Sequence, residues 1–144
     1  MKSYEKWDNR FMQLAQVVAE WSKDPERKVG AVIVDADRRI LSLGYNGFPR
    51  HVEDTAERYA RADIKLHMIV HAEVNAILNS SCSLRHSTLY CTCHPCSICA
   101  GIIIQAGIVR VISPPAATTG KWIASHKIAR SMFGEAMVAW KQGE

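Results

Sequence analysis

His71-Ala72-Glu73 and Pro95-Cys96-Ser97-Ile98-Cys99 carry the strongest chemical signal in this chain. One imidazole and two thiolates make a three-ligand zinc site. A catalytic zinc keeps its fourth position open for water, whereas a structural zinc fills all four positions with protein. Glu73 lies two residues from His71, close enough to take a proton from that water. The pattern therefore predicts a catalytic zinc site.

The predicted helix starts and the formal charges explain why cysteine, histidine and glutamate occur together at this site. Cys96 and Cys99 are spaced i, i+3 at the start of one predicted helix, which puts both sulfurs on one face. His71 starts another helix, and the positive ends of two helices favour thiolates and a bound hydroxide. Zinc with two thiolates and a neutral imidazole carries no formal charge, so a bound hydroxide makes the centre negative. Glu73 is therefore predicted to take up the water's proton and to act as general acid and base, not as a ligand.

Three other interpretations of the cysteines remain open. In the first, Cys91, Cys93, Cys96 and Cys99 form a closed four-cysteine zinc knot, which leaves His71 without a role. In the second, the Cys-x-x-Cys pair is a redox dithiol at a helix start. In the third, all of these residues fill the core. The favoured interpretation treats the cysteines outside the motif as buried small hydrophobes: Cys82, Cys91 and Cys93.

Length and composition predict one soluble domain over residues 1–144. Hydrophobic residues make up 48 % and charged residues 22 %, and no apolar run approaches the ~20 residues that span a bilayer. The N-terminal stretch lacks the apolar segment of a secretory signal, and the five cysteines are an odd number. These observations predict a reduced, cytoplasmic protein that does not contact membranes.

The net charge of +4 is mild for a chain of this length. It fits a phosphorylated small substrate, whereas a nucleic-acid groove usually needs clustered basic residues. The densest basic group, Arg58, Arg61 and Lys65, has helical spacing and is predicted to be a solvated helix face. The charge therefore favours a small-molecule substrate and no nucleic-acid partner.

Hydrophobic periodicity predicts a layered α/β domain. Helices are predicted over 7–21, 71–78, 95–105 and 121–133, with Asp8 in the first turn of the first helix. Strands are predicted over 29–34, 40–45, 88–92, 109–112 and 136–140, the first two as a hairpin, and residues 54–67 allow a further helix. This order implies a five-stranded mixed sheet with helices on both faces.

The same motif, together with other stretches, resembles a known family. His-x-Glu followed by Pro-Cys-x-x-Cys is the signature of zinc deaminases that act on cytosine or adenine. Three further stretches narrow the resemblance to the deoxycytidylate deaminases of the cytidine deaminase superfamily: Ser22-Lys23-Asp24-Pro25, Gly44-Tyr45-Asn46-Gly47-Phe48-Pro49 and Ile103-Ile104-Gln105-Ala106-Gly107-Ile108. The resemblance covers roughly residues 7–140 and implies the three-layer cytidine deaminase-like fold.

The resemblance implies hydrolytic deamination of dCMP to dUMP with release of ammonia. One catalytic zinc ion would be bound by His71, Cys96 and Cys99, and Glu73 would shuttle protons between water and the base. No cysteine precedes Cys82, so the second, structural zinc that many relatives carry is not expected.

The resemblance also implies a set of substrate contacts. Asn46 would hydrogen-bond the sugar, although its place before Gly47 also fits a plain turn residue. Ser22 and Lys23 would lie near the 5′-phosphate, although they also fit the polar end of a helix. The other candidates are Ala72 and Pro95, which lie within the zinc motif. The sequence itself, apart from the resemblance, allows His94 beside Pro95 to line the pocket, although a surface position fits it equally well.

Assembly and regulation follow from the resemblance alone. Members of this family usually form homo-oligomers, so a hexamer or a dimer is expected. The loop over residues 44–49 can hold a regulatory nucleotide in this family, which implies control by dCTP and dTTP.

Other activities remain open. The nearest is deamination of another cytosine-bearing substrate, such as CMP, a 5-modified dCMP or a nucleoside. A tRNA adenosine deaminase would need a long basic surface, which the mild charge does not supply. A non-catalytic zinc module would show a closed four-ligand site, whereas an enzyme shows an open three-ligand site.

Overall fold

A computed structural model describes residues 3–143 of the chain. Six helices and five strands lie within them. In chain order they are α1 (Ser3–Ala19), β1 (Gly30–Val34), β2 (Ile40–Tyr45), α2 (Ala56–Ala60), α3 (Ala62–Met68), α4 (Ala72–Asn79), β3 (Thr88–Cys91), α5 (Ser97–Gln105), β4 (Arg110–Ser113), α6 (Ile123–Glu135) and β5 (Ala139–Gln142). No helix in this part of the chain has the length and apolar character needed to cross a membrane.

The five strands form one mixed sheet in the order β2-β1-β3-β4-β5. β1 pairs antiparallel with both β2 and β3, whereas β4 pairs parallel with β3 and β5. The predicted hairpin of the first two strands is confirmed, and so is the five-stranded mixed sheet. The central strands β1 and β3 are buried on both faces, which explains their runs of apolar residues.

Alternate residues of the central strands belong to two separate hydrophobic clusters, because successive side chains of a strand point to opposite faces. Val32 and Val34 pack with Phe11 and Ala15 of α1 on one face. The opposite face packs against α4, α5 and α6, and its cluster contains these residues among others: Ala31, Ile33, Ala72, Ala76, Cys99, Ile103 and Phe133. The predicted three layers are therefore confirmed, and both halves of the zinc motif lie on the second face.

Two glycines let a helix backbone press directly against a strand. A Cβ atom at Gly30 would lie 2.1 Å from the carbonyl oxygen of Ala15 in α1. A Cβ atom at Gly44 would lie 2.2 Å from the backbone nitrogen of Ala76 in α4. Since real Cβ contacts are far longer, α1 and α4 can sit this close to the sheet only because glycine stands at both crossings.

Several predicted bounds are wrong by a few residues. Because α1 begins at Ser3 and not at residue 7, Asp8 lies beyond the first turn. Asp8 is instead buried and accepts hydrogen bonds from Tyr90 of β3 and Arg110 of β4. The last strand begins at Ala139 rather than at residue 136, because α6 continues to Glu135 and Met137 adopts a left-handed conformation (φ 57°) before it. Where a further helix was allowed over residues 54–67, the structure has the two short helices α2 and α3, and α3 ends one residue later, at Met68.

Candidate active site

The three predicted metal ligands converge at the starts of α4 and α5. His71 is the N-cap residue of α4, and Cys96 is the N-cap residue of α5, with its sulfur accepting a hydrogen bond from the Cys99 amide. The sequence placed Pro95 in the first turn of this helix, but α5 begins at Ser97 because Cys96 itself caps it. His71 Nδ1 lies 3.6 Å from Cys96 Sγ and 3.3 Å from Cys99 Sγ.

These distances suit a single zinc ion. Bonds of about 2.0 Å to nitrogen and 2.3 Å to sulfur at tetrahedral angles place the two ligand atoms about 3.5 Å apart. The three ligand atoms all lie within 4.8 Å of one another, and within residues 3–143 this is the one such group of histidine, cysteine and acidic side chains. Three protein ligands leave the fourth position of a tetrahedral ion open, as a catalytic site requires. The donor set therefore fits one zinc ion.

The electrostatics of this group favour negative charge on one of the two sulfurs, that of Cys96. The pKa of the Cys96 thiol falls to about 4, because it receives hydrogen bonds from Cys99 and lies beside His71. The same contact with Cys96 raises the pKa of Cys99 and that of His71. A thiolate is the form of cysteine that binds a metal, so the helix starts and the local hydrogen bonds prepare the site for a cation.

Glu73 lies in the first turn of α4 and is 3 % exposed. Its carboxylate accepts a hydrogen bond of 2.8 Å from the thiol of Cys91, at the end of β3. Cys91 is buried as predicted, but it is not a simple apolar filler, because it binds the carboxylate that the motif singles out. This pairing joins residues 18 apart in sequence, and no local pattern indicates it.

The four-cysteine zinc knot is not formed. The Cys91 thiol bonds to Glu73, and the Cys93 sulfur accepts a hydrogen bond of 3.3 Å from Arg27 Nε. Cys93 is only half-buried and Cys82 is exposed, so the prediction that both are buried hydrophobes is wrong. Neither of them, nor Cys91, belongs to the candidate metal group.

A cavity of about 450 Å³ opens onto the predicted zinc site. This volume is typical of small-ligand sites. Several residues singled out in the sequence line it: Asn46, His71, Ala72, Glu73, His94 and Cys96. Ser22, Lys23 and Pro95 do not. Ser22 is buried and donates to the Asn46 carbonyl, Lys23 is exposed and paired with Asp54, and Pro95 is fully buried.

Asn46 holds the loop beside the cavity through its own amide. Its Oδ1 accepts a hydrogen bond of 2.9 Å from the Val29 amide, and its Nδ2 donates to the carbonyl of Arg27 at 2.8 Å. Nδ2 also lies 3.3 Å from Asp24 Oδ2. Asn46 is therefore a turn-fixing residue in the wall of the cavity, and its contact with the sugar stays a prediction.

Lys65 was predicted on a solvated helix face, and that prediction is wrong. Its side chain is 15 % exposed, and its ammonium group pairs with Asp24 at 2.9 Å and with Glu26 at 3.3 Å. All three residues line the cavity. Helical spacing alone cannot separate a solvated face from one that covers a cavity, because the partners of Lys65 lie about 40 residues earlier in the chain.

Residues from the C-terminal half of the chain also line the cavity, although no sequence motif pointed to them. Trp122 and His126, from the start of α6, line the cavity, and the Trp122 ring lies 6.5 Å from the ring of His71.

His94 is buried and its ring lies 4.6 Å from that of His126. Burial lowers the pKa of His94 to about 4, so its imidazole is neutral near pH 7.

The chain matches known proteins over most of its length. The family model described as the cytidine and deoxycytidylate deaminase zinc-binding region matches residues 5–113. A probable deoxycytidylate deaminase of Drosophila melanogaster is 45 % identical over an alignment of 123 residues, and the match covers 77 % of this chain and 60 % of the fly protein. The chain thus spans three fifths of the length of that relative. An uncharacterized deaminase of Aliivibrio fischeri is 41 % identical over an alignment of 135 residues, and the match covers 92 % of this chain and 90 % of that protein.

The fold is similar to that of a solved phage enzyme. The crystal structure of the dCMP deaminase from cyanophage S-TIM5 in complex with dCMP and dUMP matches 99 % of this chain and 98 % of its own, with a TM-score of 0.74 and 26 % identity. The family model covers more than half of the chain and contains both halves of the zinc motif. The chain therefore belongs to the family of cytidine and deoxycytidylate deaminases that is defined by this zinc-binding region.

Proposed function

We propose that this protein catalyses the hydrolytic deamination of dCMP to dUMP, with water consumed and ammonia released. The observation that carries the proposal is the buried carboxylate of Glu73, which lines the same cavity as His71 and Cys96. The dCMP deaminase to which the fold is similar was solved with dCMP and dUMP bound. The fly relative also bears the name of this activity.

His71, Cys96 and Cys99 would hold the zinc ion. Bound by these residues, a zinc ion would lower the pKa of a water molecule to near neutrality and would so supply the nucleophile for carbon 4 of cytosine. Glu73 accepts the proton of that water and donates it to ring nitrogen 3 of the base. A second proton passes through Glu73 to the amino group, which leaves as ammonia. The low exposure of Glu73 keeps bulk water from competing for these protons.

The cavity also offers cations for the 5′-phosphate. Arg27 and Lys121 both line it, and each lies against the ring of Trp122, at 5.7 Å and 5.6 Å from the ring centre. Ser22 and Lys23, the predicted phosphate contacts, do not line the cavity. We therefore assign the phosphate to Arg27 and Lys121, whose donors suit its oxygens.

Ammonia release from a panel of nucleotides tests the substrate. The zinc-loaded protein is expected to deaminate dCMP at least about a hundredfold faster, by kcat/KM, than deoxycytidine, because the nucleoside lacks the charge-assisted hydrogen bonds to its phosphate. The kcat/KM values for CMP, dCTP and 5-methyl-dCMP, measured in the same way, rank the alternative substrates. Equal rates for dCMP and deoxycytidine would contradict a nucleotide substrate, and no release from any of them would contradict a cytosine deaminase.

Removing the charge of Arg27 or that of Lys121 should weaken phosphate binding without affecting the chemical step. Arg27→Ala and Lys121→Ala are each expected to raise KM for dCMP about tenfold, the size of one charge-assisted hydrogen bond, with kcat little changed. KM for deoxycytidine should stay the same. Lys127→Ala is the matched control, because Lys127 is exposed on α6 and does not line the cavity. An equal rise in KM for both substrates would show that these cations do not bind the phosphate.

The remaining expectations belong to this proposal as well. Residues 1–144 form one deaminase domain, the protein works in the cytoplasm as a homo-oligomer, and dCTP and dTTP regulate it through the loop over residues 44–49. A CMP or 5-modified dCMP deaminase is the second candidate. The absence of a closed four-ligand group among residues 3–143 counts against a purely structural zinc module.

A further inference from the structure

The thiol of Cys91 and the carboxylate of Glu73 form a buried contact that the reaction described above does not use. Cys91 Sγ lies 2.8 Å from Glu73 Oε1. Cys91 has no exposed surface and Glu73 is 3 % exposed, so water does not compete for this hydrogen bond. A hydrogen bond to a charged group in such surroundings is among the stronger ones in a protein.

The thiol is the donor in this pair. Burial and the nearby carboxylate raise the pKa of Cys91 well above its ordinary value, so the group keeps its proton. Cys99 cannot fill this role once it binds a metal, because a metal-bound cysteine is a thiolate without a proton. Cys91 is therefore the thiol that can still donate to Glu73 when the zinc ion is present.

The backbone of Cys91 is held in place by the sheet. Cys91 ends β3, the central strand of the five, and pairs with Ala31 of β1. Glu73 instead belongs to the first turn of α4, and a glutamate side chain has several rotatable bonds. A donor fixed to the sheet thus restrains a side chain that would otherwise sample several rotamers.

We propose that Cys91 is a positioning residue for the proton shuttle: its thiol holds Glu73 Oε1, which leaves the second carboxylate oxygen directed at the water and the base. This inference rests on the function proposed above. Cys91 touches neither substrate nor metal in this scheme, and it acts only through Glu73. Its loss should therefore reduce kcat rather than substrate binding.

Three substitutions at Cys91 test the proposal by kinetics. Cys91→Val is apolar and somewhat larger and has no donor, Cys91→Ala guards against overpacking by valine, and Cys91→Ser keeps a donor. We expect both apolar variants to lower kcat about tenfold with KM for dCMP unchanged, and serine to restore kcat to within about threefold of the wild type. Cys82→Val is the control, because Cys82 is exposed and its sulfur lies 3.6 Å from the hydroxyl oxygen of Ser80, two residues earlier. Each variant should keep one zinc ion per chain.

The infrared S–H stretch provides a readout that does not depend on activity. The difference spectrum between wild type and Cys91→Val isolates the Cys91 band, which should be shifted to low frequency by its hydrogen bond and should move back when Glu73 is replaced by Ala. An unshifted band, or a Cys91→Val enzyme with wild-type kcat, overturns the proposal. An inactive wild type with a shifted band would instead refute the proposed function while leaving the contact established.

Discussion

Replacing Glu73 by glutamine should lower kcat for dCMP by about 10³- to 10⁴-fold, near the upper range for removing a general acid and base. The amide has the size of the carboxylate but cannot accept the water's proton or carry it to the base. Zinc content should stay at one ion per chain, because Glu73 is not in the group of ligand atoms. Ammonia release and atomic absorption on the same samples measure both quantities.

The matched control for this variant is Glu57→Gln. Glu57 lies in the first turn of α2, as Glu73 lies in the first turn of α4, but it is exposed and does not line the cavity. It should retain wild-type kcat and zinc. A Glu73→Gln protein with unchanged kcat would refute the proton shuttle, and one without zinc would show that Glu73 supports the metal instead.

The sheet was largely predictable because its strands have clear local ends. The strand over residues 40–45 was predicted with the bounds that the structure shows, since a polar turn precedes it and Asn46-Gly47 follows it. The last strand was placed three residues early. The start of this strand depends on Met137, which has a left-handed backbone conformation. Glycine and asparagine are the residues that usually adopt this conformation, so a methionine does not predict it.

The sequence predicted those residues of the site that belong to short motifs, but not the contacts that come from distant parts of the chain. His71, Cys96 and Cys99 form recognisable motifs at helix starts, and the structure brings their ligand atoms together. The thiol that binds Glu73 comes from β3, and the indole beside His71 comes from the residue that precedes α6. These contacts depend on how strands and helices pack. Because the partner of Cys91 is distant in sequence, the sequence alone predicts only a buried apolar residue at that position.

Gly44→Ala should destabilise the protein by about 3 kcal/mol, the upper part of the usual cost of overpacking a core, and should also reduce activity. The added Cβ would lie 2.2 Å from Ala76 N and 2.6 Å from Ala72 O, which are backbone atoms of α4 and cannot rotate away. The helix must therefore move off the sheet. Urea unfolding, zinc affinity and kcat measured on one preparation test this expectation.

The activity loss follows from what α4 carries. His71 caps this helix and Glu73 stands in its first turn, whereas Cys96 and Cys99 belong to α5, so a shift of α4 separates one ligand and the proton shuttle from the other two ligands. Gly134→Ala in α6 is the control, because a Cβ there meets no atom within 4 Å apart from its chain neighbours and the backbone of its own helix. It should stabilise the protein by about 0.5–1 kcal/mol through helix propensity and leave zinc affinity unchanged. If Gly44→Ala kept wild-type stability, or lost stability without weakening zinc binding, the close contact between β2 and α4 would not be what sets the ligand geometry.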